Sequence, residues 1–355
     1  MKLLLLAKRF PQGRDLLLRP YGRYCYLPAA FAAQGHDTRV ALLSYRRLPS
    51  QTLERSDVRW SADDVLPGGL SAYLRRVYDL CRDWQPDWII GASDIYFALI
   101  AQRLASRYGI PYAIDAYDDF EAYMPWAWPL HALWRRSLAA ADLVTVPGPQ
   151  LAERLAAVRS GRIEVVPMTA DPGFVPMSRE ACRAHLGLPQ DRKLIGQIGA
   201  FNARRGMRTV LEALRLVRQR RPEVTLVLSG RDSLPLHAPP AIHALGYLAD
   251  EDLPAAVNAL DVASVSLADN RFCRSSYPAK LCEALACRVP VVASDLPPTR
   301  WMLGDSERAL ARVGDARHLA EQWLGRLEDD GAEESAPDDW NLQADRYLAL
   351  LASRA

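Results

Sequence analysis

Apolar and polar positions along the chain follow two periods that predict alternating strands and helices. Short apolar runs bounded by turn residues indicate buried strands, and apolar residues that recur every three or four positions indicate helices. The predicted strands are residues 3–7, 38–43, 88–91, 112–115, 143–146, 163–166, 194–198, 225–229, 243–245, 262–266 and 290–293. The clearest predicted helices are residues 22–33, 70–84, 96–108, 130–140 and 150–158. This alternation is typical of a doubly wound α/β protein.

The length of the chain and the position of a proline-rich segment predict two domains. A chain of 355 residues exceeds the usual size of one hydrophobic core. Residues 167–189 are rich in proline and turn-forming residues, which suits a connection between domains. Each half carries its own strands and helices, so we expect each half to form a Rossmann-like layer.

A predicted helix and buried strand at residues 276–294 carry the most informative chemistry. Ser276 is a good helix N-cap and Pro278 fits the first helical turn, which would place the positive end of the helix dipole beside an anion. Lys280 and Glu283 are three positions apart and share a face. The pair suits a phosphate and a sugar hydroxyl; the alternative is an ordinary solvated ion pair.

A strand, loop and helix at residues 194–217 supply a second candidate for anion binding. The predicted strand leads to Gly199, and the basic pair Arg204 and Arg205 stands just before the next helix. Arginine offers two parallel donors to phosphoryl oxygens, so this arrangement suits a phosphate. Two arginines in a loop are also common on a solvated surface. Together with the Lys280 helix, the loop favours a joint diphosphate site.

These two segments resemble the donor-sugar motif of retaining glycosyltransferases with the GT-B fold, glycosyltransferase family 4 in particular. The family motif has two glutamates separated by seven residues, followed by Ala and later by Pro-Val-Val. Glu283 matches the second glutamate, which holds the ribose of a nucleotide-sugar in the family, and Ser275 stands where the first is expected. A branch with a Pro-x-Lys-Leu-x-Glu signature is closer to this chain. Arg204, Arg205 and Gly206 match the family's basic pair and glycine.

The resemblance implies an α/β chain with the GT-B fold, in which two Rossmann-like domains face a central cleft. Residues 1–170 would form the acceptor-binding domain and residues 171–335 the nucleotide-sugar-binding domain. Residues 336–355 would form a helix that crosses back to the first domain. Trp340 would anchor that return, or simply pack in the core. The implied activity is a hexosyltransferase-type reaction with retention of configuration.

The resemblance also implies roles for individual residues on the donor side. Arg204, Arg205 and Lys280 would stabilise the departing diphosphate, and the leaving phosphate oxygen would take the acceptor proton on the same face of the sugar, so no protein nucleophile is assigned. The full set of predicted donor-binding residues is Gly199, Arg204, Arg205, Gly230, Tyr247, Leu248, Ser275, Ser276, Tyr277, Lys280 and Glu283.

The predicted acceptor-binding residues lie in two loops that follow strands of the first half. Gly13, Arg14 and Asp15 belong to the loop after the first strand, and an exposed charged loop is the alternative interpretation. Tyr117 and Asp118 follow the fourth strand, where α/β folds place ligands. Asp118 is predicted to be catalytic, because a carboxylate there could orient the acceptor hydroxyl or accept its proton. The alternatives are a helix cap or, less favoured, a metal held with Asp119.

The sequence also bears on functions other than a transferase. The loop at residues 8–15 lacks Gly-x-Gly-x-x-Gly, which disfavours a dinucleotide oxidoreductase. A noncatalytic nucleotide-binding partner in a glycan assembly complex and a GT-B epimerase stay open. A phosphorylase ranks last, because it needs a lysine for pyridoxal phosphate and lysine is scarce in this chain.

Composition restricts the partners and the compartment. The formal charge of +2 is too small to indicate nucleic acid binding. The six cysteines have no Cys-x-x-Cys spacing, which predicts neither a zinc site nor a disulfide framework. No apolar run approaches the roughly 20 residues that a membrane span requires. These features predict a cytoplasmic protein. The resemblance to glycosyltransferase family 4 implies a role in bacterial polysaccharide biosynthesis, with a nucleotide-sugar as substrate and without a cofactor or a metal ion.

A mixture of aromatic and basic residues at positions 126–136 raises the question of membrane association. Trp126, Trp128 and Trp134 stand close to Arg135 and Arg136 beside a predicted helix. Such a face can lie at a membrane interface and would suit a lipid-linked acceptor. The alternative is that the tryptophans pack in the interior. The first interpretation predicts peripheral association with the inner face of the membrane.

Overall fold

A computed structural model describes residues 1–66, 69–199, 206–230 and 241–353. The chain divides into two compact units. The first unit comprises Met1–Pro167 together with Asp338–Ala355, and the second unit comprises Met168–Pro337. Each unit is built on its own mostly parallel sheet.

The sheet of the first unit has the order β3-β4-β2-β1-β5-β6-β7-β8 within the described residues. Its strands are β1 (Lys2–Lys8), β2 (Asp37–Ser44), β3 (Gln51–Arg55), β4 (Val58–Asp64), β5 (Trp88–Ala92), β6 (Tyr112–Asp115), β7 (Leu143–Val146) and β8 (Ile163–Val165). All neighbouring strands are parallel except β3, which pairs with β4 in the antiparallel direction. Parallel neighbours place the carboxyl ends of the strands at one edge of the sheet.

The helices of the first unit connect these strands and include the last helix of the chain. They are α1 (Arg23–Ala33), α2 (Gly69–Asp79), α3 (Ile95–Tyr108), α4 (Phe120–Tyr123), α5 (Trp128–Ala140), α6 (Pro149–Ala156) and α13 (Trp340–Ala352). Helix α13 packs against α1, and the ring of Trp340 stacks on Tyr26 with 6.3 Å between centroids. The return of the last helix to the first unit confirms the prediction from the resemblance.

A buried ion pair links the start of α1 to the end of β6. The Arg23 guanidinium donates to both carboxylate oxygens of Asp115, at 2.8 and 2.9 Å, and also donates to the carbonyl oxygen of Val166. Thr145 donates to the same carboxylate at 2.7 Å, and its hydroxyl lies 3.4 Å from that of Tyr347 on α13. Asp115 is therefore satisfied as a structural group.

The second unit is a parallel sheet with the order β11-β10-β9-β12-β13-β14 in its described part. Its strands are β9 (Leu194–Gln197), β10 (Thr225–Ser229), β11 (Ile242–Gly246), β12 (Val262–Val265), β13 (Val291–Ser294) and β14 (Leu310–Ala311). Its helices are α7 (Arg179–His185), α8 (Met207–Arg220), α9 (Leu253–Asn258), α10 (Ala279–Ala286), α11 (Pro297–Met302) and α12 (Ala316–Arg326). Buried side chains such as Leu214, Val292 and Trp323 form the core between the sheet and helices α8 and α12.

The structure contains strands that the apolar pattern did not predict. Strands β3 and β4 form a hairpin at the edge of the first sheet. No residue of β3 is fully buried, so its sequence lacks the apolar run that marks a buried strand. The predicted helix at residues 70–84 also differs, since α2 ends at Asp79 and a wider helical turn, Leu80–Trp84, follows it.

Candidate active site

Small and hydroxylated residues line the carboxyl edge of the second sheet. Gly199 follows β9, Ser229 ends β10, Ser266 follows β12 and Ser294 ends β13. Open α/β sheets bind ligands outside this edge. Short side chains there allow a ligand to approach the backbone closely.

Gly199 and Lys280 meet at this edge. Gly199 has a φ of +118°, a conformation that favours glycine, and its N–H donates to Ser229 Oγ at 3.1 Å. A Cβ atom placed on Gly199 would lie 3.2 Å from Cε of Lys280. The structure thus brings together two residues that are 81 positions apart in the sequence and were both predicted to bind the donor.

Lys280 and Glu283 form an ion pair on α10. Lys280 Nζ lies 2.7 Å from Glu283 Oε2, and the two side chains are 33% and 12% exposed. The carboxylate is therefore held in a sheltered position while the ammonium remains accessible. A partly exposed ammonium beside a backbone that tolerates close approach can bind an anion such as a phosphate.

The predicted N-cap of this helix is wrong. Helix α10 begins at Ala279 with Pro278 at the N-cap position, and Pro278 has extended backbone angles. Proline also drives the residue before it, Tyr277, toward extended angles. Ser276 therefore lies outside the helix, where its hydroxyl does not cap it.

Ser275 stands where the family motif has its first glutamate, and Asp269 is the nearest acidic residue before it in the sequence. Ser275 is buried, and its hydroxyl lies 3.5 Å from the carbonyl oxygens of Arg271 and Phe272 in its own turn. Asp269 accepts two hydrogen bonds of 2.6 Å from Arg274, and these bonds lower the pKa of the Asp269 carboxyl. Both side chains are thus held by local contacts.

The remaining described donor candidates surround the same edge. The buried ring of Tyr277 packs edge-on against Trp301, with 5.7 Å between centroids. Tyr247 is exposed and Leu248 is half-buried, directly after β11. Gly230 follows β10 with a φ of +129°. Arg204 and Arg205 lie outside the described residues.

At the carboxyl edge of the first sheet, the carboxylates predicted after β6 have different surroundings. Asp119 caps α4, since its side chain accepts from the N–H of Ala122, and it also pairs with Arg154. Asp118 is partly exposed. Tyr117 packs edge-on against Tyr24 at 5.7 Å, and burial, together with the Asp115 charge, raises the pKa of Tyr24 well above its usual value. The capping alternative therefore applies to Asp119.

The loop after β1 is tied down by its own ion pair. Asp15 is buried and accepts two hydrogen bonds from Arg9, at 3.0 and 2.9 Å, and a third from the N–H of Leu17. The Arg14 guanidinium lies over the Tyr21 ring at 5.0 Å. Asp15 holds the loop in shape, and the acceptor role of Gly13, Arg14 and Asp15 stays a prediction.

The carboxyl edge of the first sheet also holds a polar cluster that the sequence analysis did not predict. The N–H of Lys8 donates to Ser93 Oγ at 2.8 Å, and Asp94 caps α3 by accepting from the N–H of Tyr96 at 3.0 Å. The Tyr45 hydroxyl lies 3.5 Å from Asp94 Oδ2. Burial raises the pKa of Asp94 to about 6, although the positive charge of Lys8 acts to lower it. Asp94 follows β5 at the carboxyl edge of the sheet, and this position could have identified it as a candidate from the sequence.

The tryptophans beside α5 divide between the interior and the surface. Trp134 is buried and packs on Phe120, with 5.1 Å between ring centroids. Trp126 and Trp128 are 65% and 73% exposed.

No helix within the described ranges is long and apolar enough to cross a bilayer. Those ranges also hold no group of three or more His, Cys, Asp or Glu that could bind a metal ion.

Two family models match the chain, one in each half. Residues 23–169 match the model "Glycosyl transferase 4-like domain". Residues 192–329 match the model "Glycosyl transferases group 1". The second match contains the site at Gly199 and Lys280, and the first contains the loops after β5 and β6.

Curated relatives are similar over part of their length. The phosphatidyl-myo-inositol mannosyltransferase of Mycobacterium leprae is 30% identical over 178 residues, which cover 46% of this chain and 47% of that protein. The chain spans about half the length of the curated relatives it matches.

Solved structures match over the whole chain. Sucrose-phosphate synthase from Thermosynechococcus elongatus superposes with a TM-score of 0.70 at 18% identity, covering 99% of this chain and 97% of that one. HepE of Anabaena in complex with UDP gives a TM-score of 0.71 at 18% identity, covering 100% and 95%. These likenesses show the fold. The chain has the GT-B fold and belongs to the glycosyl transferases group 1, glycosyltransferase family 4.

Proposed function

We propose that this protein is a retaining glycosyltransferase that moves a sugar from a nucleotide diphosphate donor to a hydroxyl of a glycan, glycolipid or small-molecule acceptor. The observation that carries the proposal is the approach of Gly199 to Lys280 at the carboxyl edge of the second sheet. It combines an accessible ammonium with a backbone that leaves room for a phosphate.

In the proposed donor site, Lys280 binds the diphosphate and Glu283 accepts hydrogen bonds from the ribose. The diphosphate gains negative charge as the sugar departs, so a cation already held in place stabilises the transition state more than the ground state. The ion pair of 2.7 Å holds Lys280 ready for this task. Arg204 and Arg205 are proposed to bind the same diphosphate.

The proposed reaction exchanges one bond at the anomeric carbon for another on the same face. The bond from the anomeric carbon to the diphosphate oxygen breaks, and a bond to the acceptor oxygen forms. The acceptor proton moves to the departing phosphate oxygen. Asp118 and Tyr117 would orient the acceptor hydroxyl, and Asp94 is a further candidate, because all three follow neighbouring strands β5 and β6.

The names of similar proteins support a uridine nucleotide and a lipid-linked acceptor. Structures of HepE contain UDP, UDP-glucose, and UDP with glucose. The name of the relative from Mycobacterium leprae states that it transfers mannose to phosphatidyl-myo-inositol. We therefore propose UDP-sugars as the first donors to test, and a glycolipid as the first acceptor.

The proposed compartment is the cytoplasm. All six cysteines are free and buried, which suits a reducing environment. A lipid-linked acceptor would bring the reaction to the inner face of the membrane.

The experiment that tests the donor site is a calorimetric titration with UDP, GDP, ADP, dTDP and CMP. The test variants are Lys280→Met and Arg204→Ala/Arg205→Ala. The control is Arg215→Met, which breaks an ion pair of the same spacing and the same 2.7 Å length on the exposed face of α8. One diphosphate should bind the wild type and the control alike, and bind each test variant about tenfold or more weakly. Failure of all five to bind would overturn the proposal.

Turnover then separates an enzyme from a binding protein. The wild type is incubated with the matching nucleotide-sugar and an acceptor, with and without EDTA, and the anomeric configuration of the product is read by NMR. We expect retention and no loss in EDTA, because cationic side chains take the role of a metal. Binding without turnover would favour the noncatalytic alternative, and conversion of the nucleotide-sugar without acceptor would favour an epimerase.

A further inference from the structure

Two exposed tryptophans of the first unit lie next to well-packed residues. All nine tryptophans belong to the described part of the chain, and six of them are at most 8% exposed. Trp128 and Trp126, at 73% and 65%, are the two most exposed large apolar side chains among the described residues. Tryptophan is usually well buried, so two neighbouring exceptions require an explanation.

The residues beneath them show that their exposure is not a consequence of poor packing. The intervening Ala127 is buried, and its N–H donates to the carbonyl oxygen of Met124 at 3.0 Å. His131 Nε2 lies 3.1 Å from the same carbonyl oxygen. Beneath them Trp134 packs on Phe120. Met124 and Ala127 are thus buried, while the two tryptophans on either side of Ala127 are exposed.

The surface around the tryptophans carries positive charge. Residues 122–141 contain no Asp or Glu, and neither does helix α3, which packs beside α5. These segments present four exposed arginines, namely Arg103, Arg107, Arg135 and Arg136. Arg135 pairs with Glu121 at 2.7 Å. Within the described structure, Arg103, Arg107 and Arg136 have no carboxylate within 4 Å.

We propose that this aromatic-arginine face, formed by Tyr123, Trp126, Trp128, Arg135 and Arg136 with Arg103 and Arg107 beside it, docks on a bilayer that contains anionic phospholipids. Tryptophan combines a large apolar ring with one polar N–H, which suits the boundary between headgroups and acyl chains. Arginines spread over two helices match an extended negative surface.

The face adjoins the proposed acceptor residues. Helix α5 leads into β7, so its first turn lies at the carboxyl end of the sheet, where Tyr117, Asp118 and Asp94 also lie. The Tyr123 side chain is 48% exposed, and its partial burial, followed by the charges of Asp118 and Asp94, raises the pKa of Tyr123. Docking would bring a lipid headgroup to the same end of the unit. This consequence rests on the proposed function, whereas the docking does not.

Sedimentation with vesicles tests the proposal on the full chain. We expect the wild type to bind vesicles of phosphatidylcholine mixed with phosphatidylglycerol, to bind pure phosphatidylcholine much less, and to dissociate as salt is added. Trp126→Ala/Trp128→Ala should lower the partition coefficient about tenfold or more. The matched control is Met177→Ala/Leu342→Ala, which truncates exposed apolar side chains elsewhere and should bind as the wild type does.

The charge contribution has its own pair of variants. Arg103→Glu/Arg136→Glu should weaken binding to the anionic vesicles, whereas Arg317→Glu, which reverses an exposed charge on α12, should not. Tryptophan fluorescence should shift to the blue with anionic vesicles in the wild type and less in Trp126→Ala/Trp128→Ala. Thermal unfolding and UDP binding, measured on the same preparations, confirm the fold and keep failure of the donor proposal separate from failure of docking.

Three results would overturn the proposal. The first is a wild type that binds neither kind of vesicle, or binds both equally. The second is a Trp126→Ala/Trp128→Ala variant that binds as the wild type does. The third is self-association of the wild type that the same variant abolishes, since the face would then be an interface between copies of this chain.

Discussion

The backbone of Gly199 lies against the side chain of Lys280, with 3.2 Å between a Cβ atom placed on the glycine and Cε of the lysine. Gly199 also has a φ of +118°. Gly199→Ala should therefore strain the backbone by about 1–2 kcal/mol and displace the ammonium. We expect UDP to bind this variant about tenfold more weakly in a calorimetric titration.

The control for this prediction is Gly304→Ala. Gly304 also has a positive φ, +59°, but nothing lies within 4 Å of its Cβ position. This variant should lose stability while UDP affinity is unchanged. Equal UDP affinities in the two variants would contradict the role given to the contact between Gly199 and Lys280.

The proposed ribose contact of Glu283 predicts a selective loss. Glu283→Gln should weaken UDP binding about tenfold, because hydrogen bonds to a charged acceptor contribute roughly 1.5–3 kcal/mol. Wild type should prefer UDP over 2′-deoxy-UDP and 3′-deoxy-UDP, and the variant should bind all three with similar affinity. Glu212 forms an ion pair with Arg215 that has the same spacing and the same 2.7 Å length as the pair of Lys280 and Glu283. The control variant Glu212→Gln should therefore behave as the wild type does. A variant that keeps the full preference for UDP would show that Glu283 does not contact the ribose.

The raised pKa of Asp94 predicts a pH-dependent stability. With a pKa of about 6 in the folded protein, above its ordinary value of 3.8, Asp94 binds more protons folded than unfolded. Its charged form therefore destabilises the fold, fully above about pH 6 and not at all below pH 4. Asp94→Asn keeps an oxygen for the cap and should gain about 2 kcal/mol relative to wild type between pH 4.5 and pH 7. Urea unfolding at several pH values measures this difference.

Asp315 supplies a comparison of opposite sign. It caps α12, and the hydrogen bonds from the N–H of His318 and from Arg312 lower its pKa. Its stabilising contribution is present above the unfolded pKa and is lost as the pH falls. Asp315→Asn should therefore lose stability relative to wild type at neutral pH and recover in acid. Parallel pH profiles for the two variants would refute the assignment of Asp94.

The buried pair of Arg23 and Asp115 predicts a large stability effect. Asp115→Ala would leave the guanidinium charge buried and unpaired, which costs about 3–5 kcal/mol. The exposed pair of Arg82 and Asp83 has similar lengths, 2.7 and 2.8 Å. Asp83→Ala should not change the unfolding midpoint measurably, because water already solvates both charges. Similar midpoint shifts in the two variants would be the contrary result.

Local patterns predicted most of the regular structure. Strands β6, β7 and β10 have the predicted bounds, because each is a short, mostly apolar run that is buried on both faces. The hairpin of β3 and β4 escaped the pattern, since the edge strand β3 has polar positions that face solvent. The cap of α10 was misplaced, because the backbone restriction imposed by Pro278 outweighed the capping preference of Ser276.

The fold class, the family and the charged segments could be predicted from the sequence alone, because periodicity and short motifs are local properties of the chain. The structure was needed to show which distant residues meet. It placed Gly199 against Lys280, left the Asp15 carboxylate bound to Arg9, and brought Asp94 beside Tyr45. It also separated Trp134, which is buried, from Trp126 and Trp128, which are exposed. Burial and contact depend on how whole elements pack, and no window of neighbouring residues contains that information.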